Sequence, residues 1–419
     1  MSWPLSQDYN EAIQSPGRNF ADPDLRGGEV AVNALGLPLP CSGNFADVYQ
    51  VRGADGQRWA VKCFTREVPG LHERYEAISA HLRQAKLPFT VDFNYLEEGI
   101  RVRGRWFPVL KMQWVEGLTL SQFVGRYADR PASLEGLLQI WVRMSKYLRA
   151  ARVGHCDLQH GNVLLVPAAG ANSLALKLVD YDGMWVPALA GSKSGEVGHP
   201  SYQHPRRADE QSYGLDVDRF PLLLIATALR AVTVKGRALW DKYDNGDNLL
   251  FRESDLRGPT KSYLFLDLIK SGDPLTEALA DHLLRALRGG VAAAPLLEEV
   301  IPEAPAVPVV EVRPVAIPVG ESPGGSAVAV ARPETARARP IIRRPVRRQQ
   351  GVRTAAWVVA AATLLAGFGA GWAIYRATQL EAGGTATTTA AVEKRSSPPV
   401  TAPGTAPRPS SPAAPSAVP

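Results

Sequence analysis

The sequence predicts an α+β domain in which a β-hairpin precedes amphipathic and apolar helices, and three observations carry this. Up to about Gly290 apolar, aromatic and charged residues mix in the proportions a packed core needs. Within that stretch ADVYQV and RWAVKCF, two runs rich in alternating and β-branched residues, are split by the turn-forming GADGQ and read as a β-hairpin. Farther on, Leu134, Leu137, Leu138, Trp141, Met144 and Leu148 recur at helical spacing, and an apolar helix includes Leu222 to Leu229.

Composition narrows the function classes. The chain has 419 residues and a formal net charge of +6, but its excess arginine is concentrated between Arg332 and Arg353 rather than on the globular part, so nucleic acid is not an expected partner. Cys41, Cys63 and Cys156 form an odd, sparse set without metal-ligand spacing, which points to a reducing compartment. The opening MSWPLSQDYN lacks a basic stretch followed by an apolar core, so no signal peptide is expected there.

After the globular part, residues 291–353 are expected to form a Pro- and Arg-rich extended linker without apolar periodicity. The uncharged run TAAWVVAAATLLAGFGAGWAIY, residues 354–375, has roughly the ~20 residues needed to cross a hydrocarbon core and is expected to be a single transmembrane helix. Arg343, Arg344, Arg347, Arg348 and Arg353 precede it, which would keep the N-terminal domain cytoplasmic at the inner (plasma) membrane and the tail outside. Residues 376–419, rich in Ala, Pro, Thr and Ser, are expected to be disordered. Gly367 and Gly371 form a GxxxG that would let two such helices approach as a homodimer.

The chemistry-bearing residues lie far apart in the chain. Gly43 opens a loop before the hairpin, and Lys62 projects from its second strand; a lone strand lysine is as a rule a solvated side chain. A helix from about Gly70 to Ala85 carries Glu76, a candidate partner for Lys62, because an ammonium buried without one costs several kcal/mol. The polar loop HCDLQHGN, His155 to Asn162, precedes an apolar strand, and Asp180 and Asp182 of DYDG lie just beyond another. Asp157, Asn162 and Asp180 together supply hard oxygen ligands and a base, the set needed to hold Mg²⁺ and orient a hydroxyl.

The order and spacing of these segments resemble the protein kinase superfamily, especially bacterial eukaryote-like serine/threonine kinases, over residues 30–290, with the β-rich lobe at about 30–115 and the helical lobe at about 116–290. The resemblance implies a bilobal kinase-like fold and an ATP- and Mg²⁺-dependent transferase, with Mn²⁺ as a substitute, that phosphorylates Ser or Thr of unidentified protein substrates and of itself. AVK ending at Lys62 resembles the motif whose lysine holds the ATP phosphates, with Glu76 matching its helix partner. HCDLQHGN resembles the catalytic loop, which makes Asp157 the base, Asn162 a metal ligand and His155 a structural residue. DYDG resembles DFG and makes Asp180 the main metal ligand, with Asp182 competing for that role. Met112 to Gly117 (MQWVEG) resembles the hinge that takes the adenine edge, so Met112, Gln113 and Val115 join Gly43, Val48 and Lys62 as ATP-binding residues. GHPSYQHP, Gly198 to Pro205, resembles the end of an activation segment, with Ser192 and Ser194 before it as candidate acceptors, and Asp216 matches the buried aspartate that braces the catalytic loop.

Departures from the pattern are equally specific. Cys41 and Ala46 replace two glycines of the nucleotide loop, Gln159 replaces a lysine that steadies the transferred group, and Cys156 replaces the arginine before the catalytic aspartate. Arg206 stands where a glutamate is usual, which puts an ion pair with later helices in doubt. These changes keep a pseudokinase scaffold as an alternative. DLQHGN also resembles a loop of small-molecule phosphotransferases, a reading that GHPSYQHP and Asp216 argue against.

Overall fold

A computed structural model describes residues 2–43, 45–167 and 174–302. The β-rich part is a six-stranded antiparallel sheet in the order β1-β3-β4-β6-β5, formed by β1 (Glu29–Val30), β3 (Ala46–Arg52), β4 (Arg58–Phe64), β5 (Phe93–Val102) and β6 (Arg105–Gln113), with β2 (Cys41–Ser42) also paired to β3. The expected hairpin is β3 and β4, in a register that sets Val48 opposite Lys62. Its turn contains Gly56 at φ +82°, a left-handed conformation that glycine adopts without steric cost.

Strand alternation gives this sheet two working faces. Tyr49, Val51, Val61, Cys63 and Val109 are fully buried in one apolar cluster, whereas Ala46 and Phe64 belong to a second cluster shared with the helical part. Lys62, between Val61 and Cys63, therefore projects toward the side of the sheet that faces the helices.

The first face is covered by residues that precede the expected start of the domain at residue 30. Tyr9, Ile13, Phe20 and Leu25, carried on or directly after three short helices at Ser6–Ala12, Pro16–Asn19 and Pro23–Arg26, are buried against it. The Tyr9 hydroxyl donates to the Phe64 carbonyl at 2.6 Å, and the Trp3 indole donates to the same oxygen. Lys111, buried on β6, pairs with Asp22 at 2.8 Å and Asp24 at 2.6 Å. The folded region thus begins well before residue 30.

The helical part is built on helices Pro131–Ala150 and Arg219–Lys235, with the small sheet β7 (Leu118–Thr119), β8 (Val163–Pro167) and β9 (Leu174–Leu178) at its edge, ordered β7-β8-β9. The apolar positions expected to face the core along the first helix, Leu134 to Leu148, are all buried. Helix Pro274–Arg288 packs on helix Arg219–Lys235, and its Leu279, Ala280 and Leu283 are buried. The chain stays packed past the expected boundary at 290: Val291, Ala294, Leu297 and Ile301 are buried, and Glu298 on a short helix Leu297–Val300 pairs with Arg149.

Among the described residues no helix is long and apolar enough to cross a membrane. The expected linker beyond residue 302, the transmembrane segment 354–375 with Gly367 and Gly371, and the tail 376–419 lie outside the described residues.

Candidate functional site

A cleft of about 650 Å³ opens between the sheet and the helical part, lined by Gly43, Val48, Lys62, Asp157, Gln159, Asn162, Asp180 and Asp182 together with Gly195 to Pro200. Residues separated by more than a hundred positions converge there. The Lys62 ammonium lies 2.7 Å from Asp180 and 2.7 Å from Asp182. Burial alone would push its pKa down, but Asp180 and then Asp182 outweigh that and hold it well above the ordinary lysine value. Reciprocally, burial would lift the Asp180 carboxyl, and Lys62 reverses this and lowers it.

The expected partner of Lys62 is not the one observed. Glu76 is exposed on helix Leu71–Ala85, whose buried face is Leu71, Tyr75, Ile78 and Leu82. Successive helix residues are rotated by about 100°, so Glu76 turns outward while Tyr75, one residue earlier, turns in. The Tyr75 hydroxyl donates to Asp182, and Arg74 donates to the Asp182 carbonyl at 2.9 Å.

The loop from His155 to Asn162 is clamped from several sides. Asp218 is buried and accepts from the amides of His155 at 2.5 Å and Cys156 at 2.8 Å. The expected brace, Asp216, is instead half exposed and pairs with Arg219 at 2.7 Å. The 3₁₀ turn Leu215–Asp218 explains the exchange, because it buries Val217 and Asp218 and turns Asp216 to solvent. Burial raises the Asp218 carboxyl above its ordinary range, opposed by His155 and by the two amide donors. From the other side the buried Arg207 guanidinium donates to the Cys156 carbonyl at 2.5 Å. The His155 ring contacts the Val179 carbonyl at 3.1 Å.

This framework aims Asp157 and Asn162 into the cleft. The Asn162 amide nitrogen donates to the Asp157 carbonyl at 2.9 Å and to its carboxylate at 3.1 Å, and the His199 backbone N–H donates to the other carboxylate oxygen at 2.9 Å. Gly198, at φ +81°, permits that approach, since a Cβ there would lie 2.7 Å from the Asp157 oxygen and 2.9 Å from the Gln203 amide. With its nitrogen turned onto Asp157, Asn162 keeps its side-chain oxygen for the cleft. Asp180 is 41% exposed against 14% for Asp182, so it is the carboxylate open to a ligand. These are hard oxygen donors of the kind Mg²⁺ prefers. Among the described residues no group of three or more His, Cys, Asp or Glu side chains is arranged to hold a metal ion by itself.

Before the hairpin β2 has two residues, and the Gly43 amide donates to the Ala46 carbonyl at 2.9 Å. Ala46, at a position where the kinase pattern has glycine, is buried in the core as a strand residue, so a side chain belongs there. Of the hinge residues, Met112 is buried opposite Ala60, whereas Gln113 and Val115 line a separate hollow of about 620 Å³ with Arg83, Asp92 and Lys177. None of the three lines the cleft that holds Lys62.

Glu196 entered no motif, yet it lines the cleft. Burial, then the charges of Asp182 and Asp180, raise its carboxyl to about 7. His160 and His199 flank Tyr202, with His160 2.6 Å from the Tyr202 hydroxyl. Ser194 is tied locally to Glu196, its hydroxyl donating to the Glu196 carbonyl at 2.5 Å, and Ser192 is exposed. Arg206 pairs with Glu210 at 3.4 Å, and Glu210 accepts from the Val291 amide at 3.2 Å, which supplies a link to the later segment. The buried partners Tyr75, Arg207 and Asp218 were missed because none belongs to a local motif; the buried helix face 71, 75, 78 and 82 was the one signal that separates Tyr75 from Glu76.

No protein-family model matches the chain. Over 230 residues it is 28% identical to the "Serine/threonine-protein kinase dkf-1" of Caenorhabditis briggsae, a stretch that covers 52% of this chain and 29% of that protein. The chain therefore spans less than a third of the length of the relative it matches. This relative is from a nematode, and the comparison lends nothing to a bacterial subgroup or to a membrane anchor. A sheet-rich part and a helical part around one cleft are compatible with a kinase-like fold, and over about half its length the chain has a distant protein-kinase-like relationship.

Proposed function

We propose that the chain is an ATP-dependent phosphotransferase of the protein kinase type, acting on Ser or Thr hydroxyls of proteins and of itself. The single observation that carries this reading is the convergence of Lys62, Asp157, Asn162 and Asp180 on one cleft. Lys62 would meet phosphate oxygens with a fixed positive charge, as the buried ammonium remains protonated throughout the physiological range. The Asp157 carboxylate, held by Asn162 and the His199 amide, would receive the proton of the attacking hydroxyl. Asn162 and Asp180 would hold Mg²⁺, which supplies neutralisation of the charge on the phosphates. Membrane attachment through residues 354–375 forms part of this reading on sequence alone.

The test is a thermal-shift titration of the full chain with ATP and Mg²⁺, run beside a phosphate-transfer assay. Stabilisation by nucleotide together with transfer is the expected result. Stabilisation without transfer would replace the enzyme with a nucleotide-binding scaffold, the reading that Gln159 favours, since its side chain folds back to the Gly161 amide at 3.3 Å and brings no cation. No stabilisation and no transfer would end the proposal.

A further inference from the structure

We infer that Asp182, held by Tyr75 and Arg74, takes over the anchoring of Lys62 from a helix glutamate and so couples helix Leu71–Ala85 to the nucleotide cleft, leaving Asp180 to face the ligand. The inference rests on the cleft being a nucleotide site and assigns Asp182 as a positioning residue there. Five contacts carry it. Asp182 spends one carboxylate oxygen on the Lys62 ammonium at 2.7 Å and the other on the Tyr75 hydroxyl. Its backbone carbonyl accepts from Arg74 at 2.9 Å, and the same guanidinium donates to the Tyr213 hydroxyl at 2.7 Å. The Tyr213 hydroxyl in turn donates to the Met184 carbonyl at 2.7 Å, two residues beyond Asp182. The helix is thereby tied to both the side chain and the backbone of the Asp180 to Met184 segment.

The division of labour between the two carboxylates follows from what each can still reach. Asp182 has both oxygens engaged and only 14% of its side chain exposed, whereas Asp180 meets Lys62 at 2.7 Å through one oxygen and is 41% exposed. A carboxylate already satisfied on two sides is a poor metal ligand and a good fixed counter-charge. Glu76, on the outward face of the same helix, has no such contact with Lys62. The second aspartate of DYDG, one residue more than DFG requires, thus has a purpose: it carries into the loop the negative charge that the helix does not deliver.

Two measurements on the full chain separate this inference from the function proposed above. The first is a double-mutant cycle on thermal unfolding without nucleotide, pairing Lys62→Met with Asp182→Asn and, separately, with Glu76→Gln. Non-additive shifts for the Asp182 pair and additive shifts for the Glu76 pair are expected whatever the cleft binds; the reverse pattern overturns the inference. The second is calorimetric titration of ATP with Mg²⁺. Asp182→Asn is expected to weaken binding by roughly tenfold or more, the loss of one charged hydrogen bond, with partial recovery in Asp182→Glu and a change within about twofold in Glu76→Gln. Unchanged affinity in Asp182→Asn, or a larger loss in Glu76→Gln, overturns it. Absence of ATP binding in the unsubstituted chain removes the proposed nucleotide site while the cycle still decides which residue anchors Lys62. Should Asp182→Asn fail to fold, Tyr75→Phe keeps the ring and removes the hydroxyl; several-fold weaker ATP binding supports the coupling and unchanged binding refutes it.

Discussion

The two sides of the cleft are held by different means. On the helical side the loop from His155 to Asn162 is gripped by buried polar partners, with Asp218 accepting two of its amides and Arg207 capping one of its carbonyls. On the sheet side the equivalent work is done by packing behind the strands, where Tyr9, Ile13, Phe20 and Leu25 cover the face opposite Lys62. Irregular backbone cannot satisfy its own hydrogen-bonding groups and needs side chains to do so, whereas a sheet satisfies its backbone in the ladder and needs only an apolar cover. A charged residue is therefore the critical one on the loop side and an aromatic one on the strand side.

Removing one of each breaks this comparison most directly. Tyr9→Ala, at a fully buried aromatic, is expected to cost about 3–5 kcal/mol, read by denaturant unfolding, and to loosen the sheet before the helical part. A loss below about 1 kcal/mol would mean that the N-terminal segment is not part of the core. Next in size, Asp218→Ala leaves the amides of His155 and Cys156 buried without their acceptor and should cost about 2–3 kcal/mol. Asp216→Ala removes only a half-exposed ion pair and should cost less than about 1 kcal/mol. Equal effects of these two substitutions would contradict the assignment of the brace to Asp218.

A titration tests the charged interior of the cleft. Glu196 titrates at about 7 in the folded chain against an ordinary value of 4.5. Between these values the unfolded chain loses its proton first while the folded chain keeps it, so stability should fall as pH rises from about 4.5 to about 7. Glu196→Gln should flatten that fall in the thermal midpoint, and an unaltered slope would show that the carboxyl is not held protonated by the cleft.

Much of the fold was legible because local signals agree with it. The β3–β4 hairpin, the helix from Pro131 to Ala150 and the apolar helix after Asp218 each announce themselves by period and turn chemistry. Lys62, Asp157, Asn162 and Asp180, which line one cleft, stood out as candidates for the same reason, since each sits in a short recognisable run. What escaped reading were partnerships made across the chain. Whether Glu76 or Tyr75 turns toward Lys62 depends on one residue of helix rotation, and whether Asp216 or Asp218 is buried depends on where a 3₁₀ turn begins. The N-terminal cover was missed because Tyr9, Ile13, Phe20 and Leu25 are scattered on or directly after three short helices, none long enough to display a period.

The account as a whole is tested most directly by intact-mass and peptide mass spectrometry of the full chain after incubation with ATP and Mg²⁺, with Asp157→Asn treated in parallel. Phosphate on Ser or Thr residues of the unsubstituted chain, reduced about 10²- to 10⁴-fold in rate in Asp157→Asn, is the expected result. Equal labelling of the two proteins would contradict the role given to Asp157 and with it the chemistry assigned to the cleft.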